Sequence, residues 1–219
     1  MTAAEEFPPM ILPRLKIRSV WNTITVFGPC RTHQIQGERG TKMIELWDLY
    51  DADRRPLHKT HVRGVPMTPG EYHTVVGVWT VNRQEEILLT LRHPQKESYP
   101  NMWENTEGSV VAGETSKAGA ARELREETGI AVEESELILL GSRKEKRAFI
   151  DTYLTFQDVP VENLTMQEGE TVQAKWVTME ELDEMIQAGL LAAPVVERFA
   201  SVRAEFEKLL LQRRDSPHE

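Results

Sequence analysis

The chain has a single cysteine, Cys30, so no internal disulfide can form and nothing points to an oxidising compartment. Basic residues are outnumbered, 26 Lys and Arg against 35 Asp and Glu, for a formal charge of −9. Binding to phosphate backbones needs dense Lys/Arg surfaces, so a nucleic-acid polymer is not an expected partner. A small phosphorylated molecule remains compatible, because a divalent cation can supply the missing positive charge. Long apolar runs are absent too: "ILLT" and "LILL" fall far short of a membrane span. The opening "MTAAEEFPPM" has no basic segment leading into an apolar stretch, so it does not read as a secretory signal. No fixed-period repeat and no low-complexity tract interrupts the chain. These absences describe a cytoplasmic protein with no membrane role, and Cys30 reads as an incidental thiol.

What is present is an ordinary globular composition, 219 residues and 40% hydrophobic, enough for one good-sized core. Residues 1–42 differ from the rest. They carry early prolines, one short strand candidate in "SVWNTITVF" and no helical period, and read as an N-terminal extension with little structure of its own. Met43 is then an alternative natural start. From residue 43 to about 190 the pattern is strand-rich: a hairpin or strand-loop in "IELWDLYDADRRPLHKTHVRG", a buried strand in "EYHTVVGVWTVN" paired antiparallel with "EILLTLR", then "ELILLGSRK", "RAFIDTYLTFQ" and "VQAKWVT". Thr178 and Glu181 have the spacing of a capping box opening a helix. Residues 191–219 hold a last helix with an apolar stripe of Val196, Phe199, Val202, Phe206 and Leu209 or Leu210, expected to pack on the body of the protein. The sum is a mixed α/β or α+β domain.

The densest chemistry lies in "GETSKAGAARELREETGI", a helix expected over about 116–128. Successive helical residues turn by about 100°, which places Glu123, Glu126 and Glu127 within one arc. Like charges three and four apart repel, so a purely structural helix has little reason to choose this arrangement. Taken alone the cluster reads as a solvated face. Its carboxylates would equally suit a hard cation, Mg²⁺ or Mn²⁺ better than zinc. Ala120, Ala121 and Leu124 are expected to point the other way, into the core. Thr115 or Ser116 is placed to cap the start, and Gly129 sits where a helix ends in a left-handed residue.

With Gly108, Glu114, Arg122 and Gly129 in register around these three glutamates, the stretch resembles the signature of the Nudix hydrolases, and the odds turn to a metal site. The resemblance covers about residues 43–190. It implies the family's α/β/α sandwich with a mixed sheet and a pyrophosphatase that uses Mg²⁺, with Mn²⁺ as the alternative. Glu123, Glu126 and Glu127 would be metal ligands, and Glu114 would pair with Arg122. The carbonyl of Glu107 would be a further ligand, although many relatives have glycine there. Glu170, with Glu168 second, would be the late acidic residue that binds metal or acts as base. The expected substrate is a nucleoside diphosphate derivative or related organic diphosphate. A homodimer is compatible with all of this.

The stretches "ELWDLYDADRRPLHKTHVRG", "YHTVVGVWTVN" and "WENTEGS" also look like the subgroup related to isopentenyl-diphosphate isomerase, which makes double-bond isomerisation the alternative reaction. Glu107 and Ser109 stand where such isomerases carry cysteine and histidine, and the later strand offers only Asp151, so hydrolysis ranks higher. A noncatalytic nucleotide-binding module is the third reading, disfavoured because every carboxylate of the motif is present. His73 reads as a structural histidine, and Trp47, Trp79, Trp103 and Trp176 as core or cleft walls. Arg92, His93 and Lys96 form a basic loop, solvated or able to meet phosphate.

Overall fold

The computed structural model describes residues 23–26, 33–37 and 40–215. Cys30 and the proline-bearing start lie outside them. Within the stretch read as an extension, strands β1 (Thr23–Val26), β2 (His33–Gly37) and β3 (Gly40–Ile44) form an antiparallel meander, and β3 runs across the expected boundary at residue 43. The hairpin read next in the sequence is β4 (Leu46–Tyr50) with β5 (Pro56–Val62).

The centre is a seven-stranded mixed sheet. Its longest strands are β6 (His73–Val81) and β11 (Ala148–Phe156), which run parallel from Ala148↔His73 to Phe156↔Val81. Strand β10 (Ile138–Lys144) flanks β11, and β12 (Thr171–Val177) flanks β7 (Ile87–Arg92), both antiparallel. Strand alternation divides the core. Val76, Val78, Leu88 and Tyr153 face helix α1 (Ser116–Thr128) through Ala120 and Leu124. Trp79, Val81, Ile87, Leu89 and Leu154 face helices α2 (Met179–Gln187) and α3 (Ala193–Asp215). The result is an α/β/α sandwich. Helix α3 brings Val195, Phe199, Val202, Phe206 and Leu210 onto the sheet, with the Phe199 ring 4.5 Å from Trp79 and 5.4 Å from Phe206. Its apolar stripe packs on the body, as its spacing predicts. The capping box of α2 is present: the Glu181 N–H donates to Thr178 Oγ1 at 3.1 Å, and the Thr178 N–H donates to Glu181 Oε2 at 2.8 Å.

The antiparallel β6–β7 pair differs from the expected hairpin. Only Val81↔Ile87 are in register, because another piece of chain enters between the two strands. Strand β8 (Trp103–Glu104) pairs with β7, and β9 (Thr106–Ser109) pairs with β6. At the crossing, the Asn105 side-chain amide donates to the carbonyls of Val78 at 3.3 Å and Thr106 at 3.1 Å. These bonds satisfy buried main-chain acceptors where the ladder is split. The split carries Glu104, Glu107 and Gly108 toward helix α1. Among the described residues, no helix is long and apolar enough to cross a membrane.

Candidate functional site

Helix α1 starts at Thr115, whose Oγ1 accepts from the Ala118 N–H at 3.0 Å, and ends at Gly129, whose φ of 78° closes the helix through an N–H bond to Arg125 O at 2.9 Å. A side chain at Gly129 would be strained by that φ and would also press on Thr165. Between these ends, Arg122 gathers the acidic groups. Its Nε and Nη2 donate to Glu114 at 2.9 and 3.1 Å, and its Nη1 donates to Glu123 Oε1 at 2.9 Å and Glu126 Oε2 at 3.0 Å. Nη2 also meets the Ser109 carbonyl at 2.9 Å. Glu114 completes the tie by accepting from the Val111 N–H at 3.1 Å. The guanidinium thereby fixes the loop, strand β9 and α1 to one another. Burial alone would lower its pKa, but Glu114 and Glu123 hold it above the usual arginine range.

Glu127 departs from the sequence expectation. It lies seven residues after Ala120, about two turns on, and so shares the buried side of α1 with Ala120 and Leu124 instead of standing opposite them. Its residue is 8% exposed, and its Oε2 is buried without a hydrogen-bond partner. Burial first, then the like charges of Glu104, Glu123, Glu107 and Glu170, push its pKa well above the carboxylate range. Glu123 is raised as well, burial outweighing the Arg122 charge beside it.

These groups line a polar cavity of about 230 Å³, together with Glu45, Arg63, Arg92, Lys96, Glu107, Gly108, Glu126, Gln167 and Glu170. Each cation on its wall already holds a carboxylate. Arg63 donates to Glu45 at 2.6 Å, Arg92 to Glu104 at 2.7 Å, and Lys96 pairs with Glu170. Arg92 is braced further by the Ser98 carbonyl. Glu168 is exposed and lies outside the cavity wall. His93 stays in its turn, its Nδ1 accepting from the Gln95 N–H at 3.1 Å.

Among the described residues, no group of three His, Cys, Asp or Glu side chains is gathered tightly enough to hold a metal ion. Arg122 engages both Glu123 and Glu126. The donor set still fits a hard divalent cation: carboxylate oxygens throughout, one of them buried and without a partner.

Sequence reasoning missed Glu45, Arg63 and Glu104. Glu45 and Arg63 arrive from the β4–β5 hairpin, far from the motif in the chain. Glu104 sits in an ordinary strand dipeptide. His73 is buried and stacks on Trp47, with ring centroids 4.0 Å apart. Burial is the main cause that lowers its pKa to about 4. Trp79 is core, Trp103 and Trp176 are half-buried, and the Trp176 indole donates to the Val159 carbonyl at 3.0 Å. Asp151 does not reach the cavity wall. It is held by Arg54, by Ser142 Oγ and by Ser116 Oγ, the last two at 2.5 Å.

A family model described as a NUDIX domain matches residues 71–199. The chain belongs to the Nudix family. It is 37% identical over 147 residues to an uncharacterized Nudix hydrolase of Listeria monocytogenes, a match covering 67% of this chain and 87% of that one. A second uncharacterized Nudix hydrolase, from Listeria innocua, is 35% identical with the same coverage. The fold is also that of a Deinococcus radiodurans crystal structure, matched at a TM-score of 0.61 with 22% identity over 72% of this chain and 99% of that chain. Family and relatives make the protein an enzyme, a hydrolase of the pyrophosphatase type.

Proposed function

We propose that this Nudix hydrolase cleaves the pyrophosphate bond of a nucleoside diphosphate derivative or related organic diphosphate, with Mg²⁺ as its cofactor and Mn²⁺ as a substitute. The observation that carries this reading is Glu127: a buried carboxylate with an orphaned oxygen, which feels the like charges of Glu104, Glu123, Glu107 and Glu170. Those four have cationic partners, Glu127 Oε2 has none, and ionising a buried unpaired carboxylate costs several kcal/mol unless a cation joins it. Glu123, Glu126 and Glu127 would hold the cation. When bound, it supplies positive charge against the diphosphate oxygens and lowers the pKa of the attacking water.

The remaining tasks fall to the chain's own groups. Arg63, Arg92 and Lys96 bring three cationic side chains to the cavity that must receive a diphosphate. Glu170, a cavity residue on the turn before β12 that pairs with Lys96, would take a proton from the nucleophile. Residues 43–190 would carry this chemistry, and α3 would complete the core.

The isomerase reading is disfavoured. Glu107 and Ser109 lack the required cysteine and histidine chemistry, and Asp151 is engaged by Arg54, Ser116 and Ser142. The test is a panel of nucleoside diphosphate sugars, dinucleotides, nucleoside triphosphates, coenzyme A and isopentenyl diphosphate, incubated with Mg²⁺ in ¹⁸O-water. Label in a phosphate product supports hydrolysis at phosphorus. Conversion of isopentenyl diphosphate to its isomer, with no phosphate released from any substrate, would overturn it.

A further inference from the structure

Glu107 lines the cavity, yet its carboxylate is bonded to a residue of α3, the helix on the other side of the sheet. Glu107 pairs with Gly77 in the β6–β9 register. The Glu107 carboxylate lies over Gly77, where a Cβ would be 3.5 Å from Oε1, an ordinary contact. Arg198 of α3 meets the same carboxylate, its Nη1 donating to Glu107 Oε2 at 2.5 Å. The other edge of the same guanidinium is locked by Glu145, between β10 and β11, through Nε at 3.0 Å and Nη2 at 2.8 Å. Arg198 and Glu107 are both largely withdrawn from solvent, one residue from Phe199 in the apolar core.

A buried ion pair in such a place is poor value as a source of stability, since apolar residues of similar volume do as well or better. Its geometric effect is more specific. The residue after Glu107 is Gly108, and a methyl group on Gly108 would fall 1.9 Å from the carboxyl carbon of Glu123. The Glu123 carboxylate is therefore seated directly on the β9 backbone, where a displacement of even one ångström changes the seat.

We propose that Arg198 is a positioning residue for the metal centre: from the far side of the sheet it anchors the Glu107 side chain, and through it the β9 backbone that seats Glu123. The proposal rests on the metal-binding reading above. It assigns to α3, outside the signature motif, a part in setting cation affinity.

Mn²⁺ binding, followed by the loss of the free-ion paramagnetic resonance signal, tests this without relying on turnover. The full chain is compared with Arg198→Met and with the double variant Glu107→Ala, Arg198→Met. The double variant removes the Glu107 charge together with its partner, leaves Glu145 to Arg143, and carries the same test if the single one fails to fold. The expected result is a half-saturating Mn²⁺ concentration raised about tenfold or more in both, the size of effect usual for residues that orient ligands from behind. Native-like Mn²⁺ affinity in either folded variant, even with a lowered Tm, would make the pair merely structural and overturn the proposal. Absence of Mn²⁺ binding by the unaltered chain would overturn the metal reading itself, so the two failures are distinguishable.

Discussion

Gly108 and Glu123 are in direct contact across the junction of β9 and α1, so close that the first carbon of any side chain at 108 would sit 1.9 Å from the Glu123 carboxyl carbon. The glycine is needed for space, with no left-handed φ recorded at that position. Gly108→Ala should therefore expel the flexible end of Glu123 and leave the backbone in place. We expect a Tm within a few degrees of the native chain and turnover lowered by about a hundredfold, the scale of loss when catalytic geometry slips by one ångström. Thermal melts and steady-state assays on the same preparation check both halves.

Stability of the cation-free protein should depend on pH through the buried carboxylates in and beside the cavity. Glu104, Glu107, Glu123 and Glu127 are all raised by burial, Glu107 to about 7 and Glu127 without a partner for Oε2. As pH rises above the ordinary value of 4.5, the unfolded chain releases protons that the folded chain keeps, so folding stability falls with pH. The decline runs through about 7, where Glu107 titrates, and Glu127, also raised well above the carboxylate range, adds to it. In cation-free buffer, Glu127→Gln should flatten this slope and raise the Tm at pH 8. The Tm gain on adding Mg²⁺ should be larger at pH 8 than at pH 5, because only ionised carboxylates bind the cation.

Asp151 behaves in the opposite way. Burial would raise its pKa, but hydrogen bonds from Arg54, Ser116 and Ser142 hold it below the usual range. It contributes stability that is present at neutral pH and lost as pH falls through the lowered pKa. Arg54→Ala removes the counter-charge and leaves a buried carboxylate with hydroxyl donors alone. Breaking a fully buried pair costs about 3–5 kcal/mol; Arg54 is partly exposed, so a smaller loss is expected, read as a lowered denaturant midpoint at pH 7. The β4–β5 hairpin carries Arg54, and Arg63 closes the cavity from the same hairpin, so KM should rise as well.

Much of this was legible because it is local. A 3.6-residue period, a threonine cap and a terminal glycine define α1, and runs of β-branched and aromatic residues mark β6 and β11 as buried strands. Proximity on one helix made Glu123, Glu126 and Glu127 visible as a cluster. Angular position could have shown Glu127 beside Ala120, yet its charge argued for the exposed face. The rest depends on tertiary contacts that no sequence spacing encodes. Glu45 and Arg63 reach the cavity from the two ends of a hairpin that Arg54 ties to Asp151, and Glu104 meets the cavity residue Arg92 because β8 and β9 enter the gap between β6 and β7. Lys96 and Glu170 meet although 74 residues separate them.

The most direct test of the central claim is Mg²⁺-dependent phosphate release from the best diphosphate substrate, compared between the native chain and Glu127→Gln. Glutamine preserves the shape of the side chain and removes only its charge. The account predicts a variant that folds at least as stably without cation, gains little Tm from Mg²⁺ and loses most of its turnover. A variant that keeps native turnover and the native Mg²⁺-induced Tm gain would contradict it, leaving Glu127 a buried carboxylate with no part in catalysis.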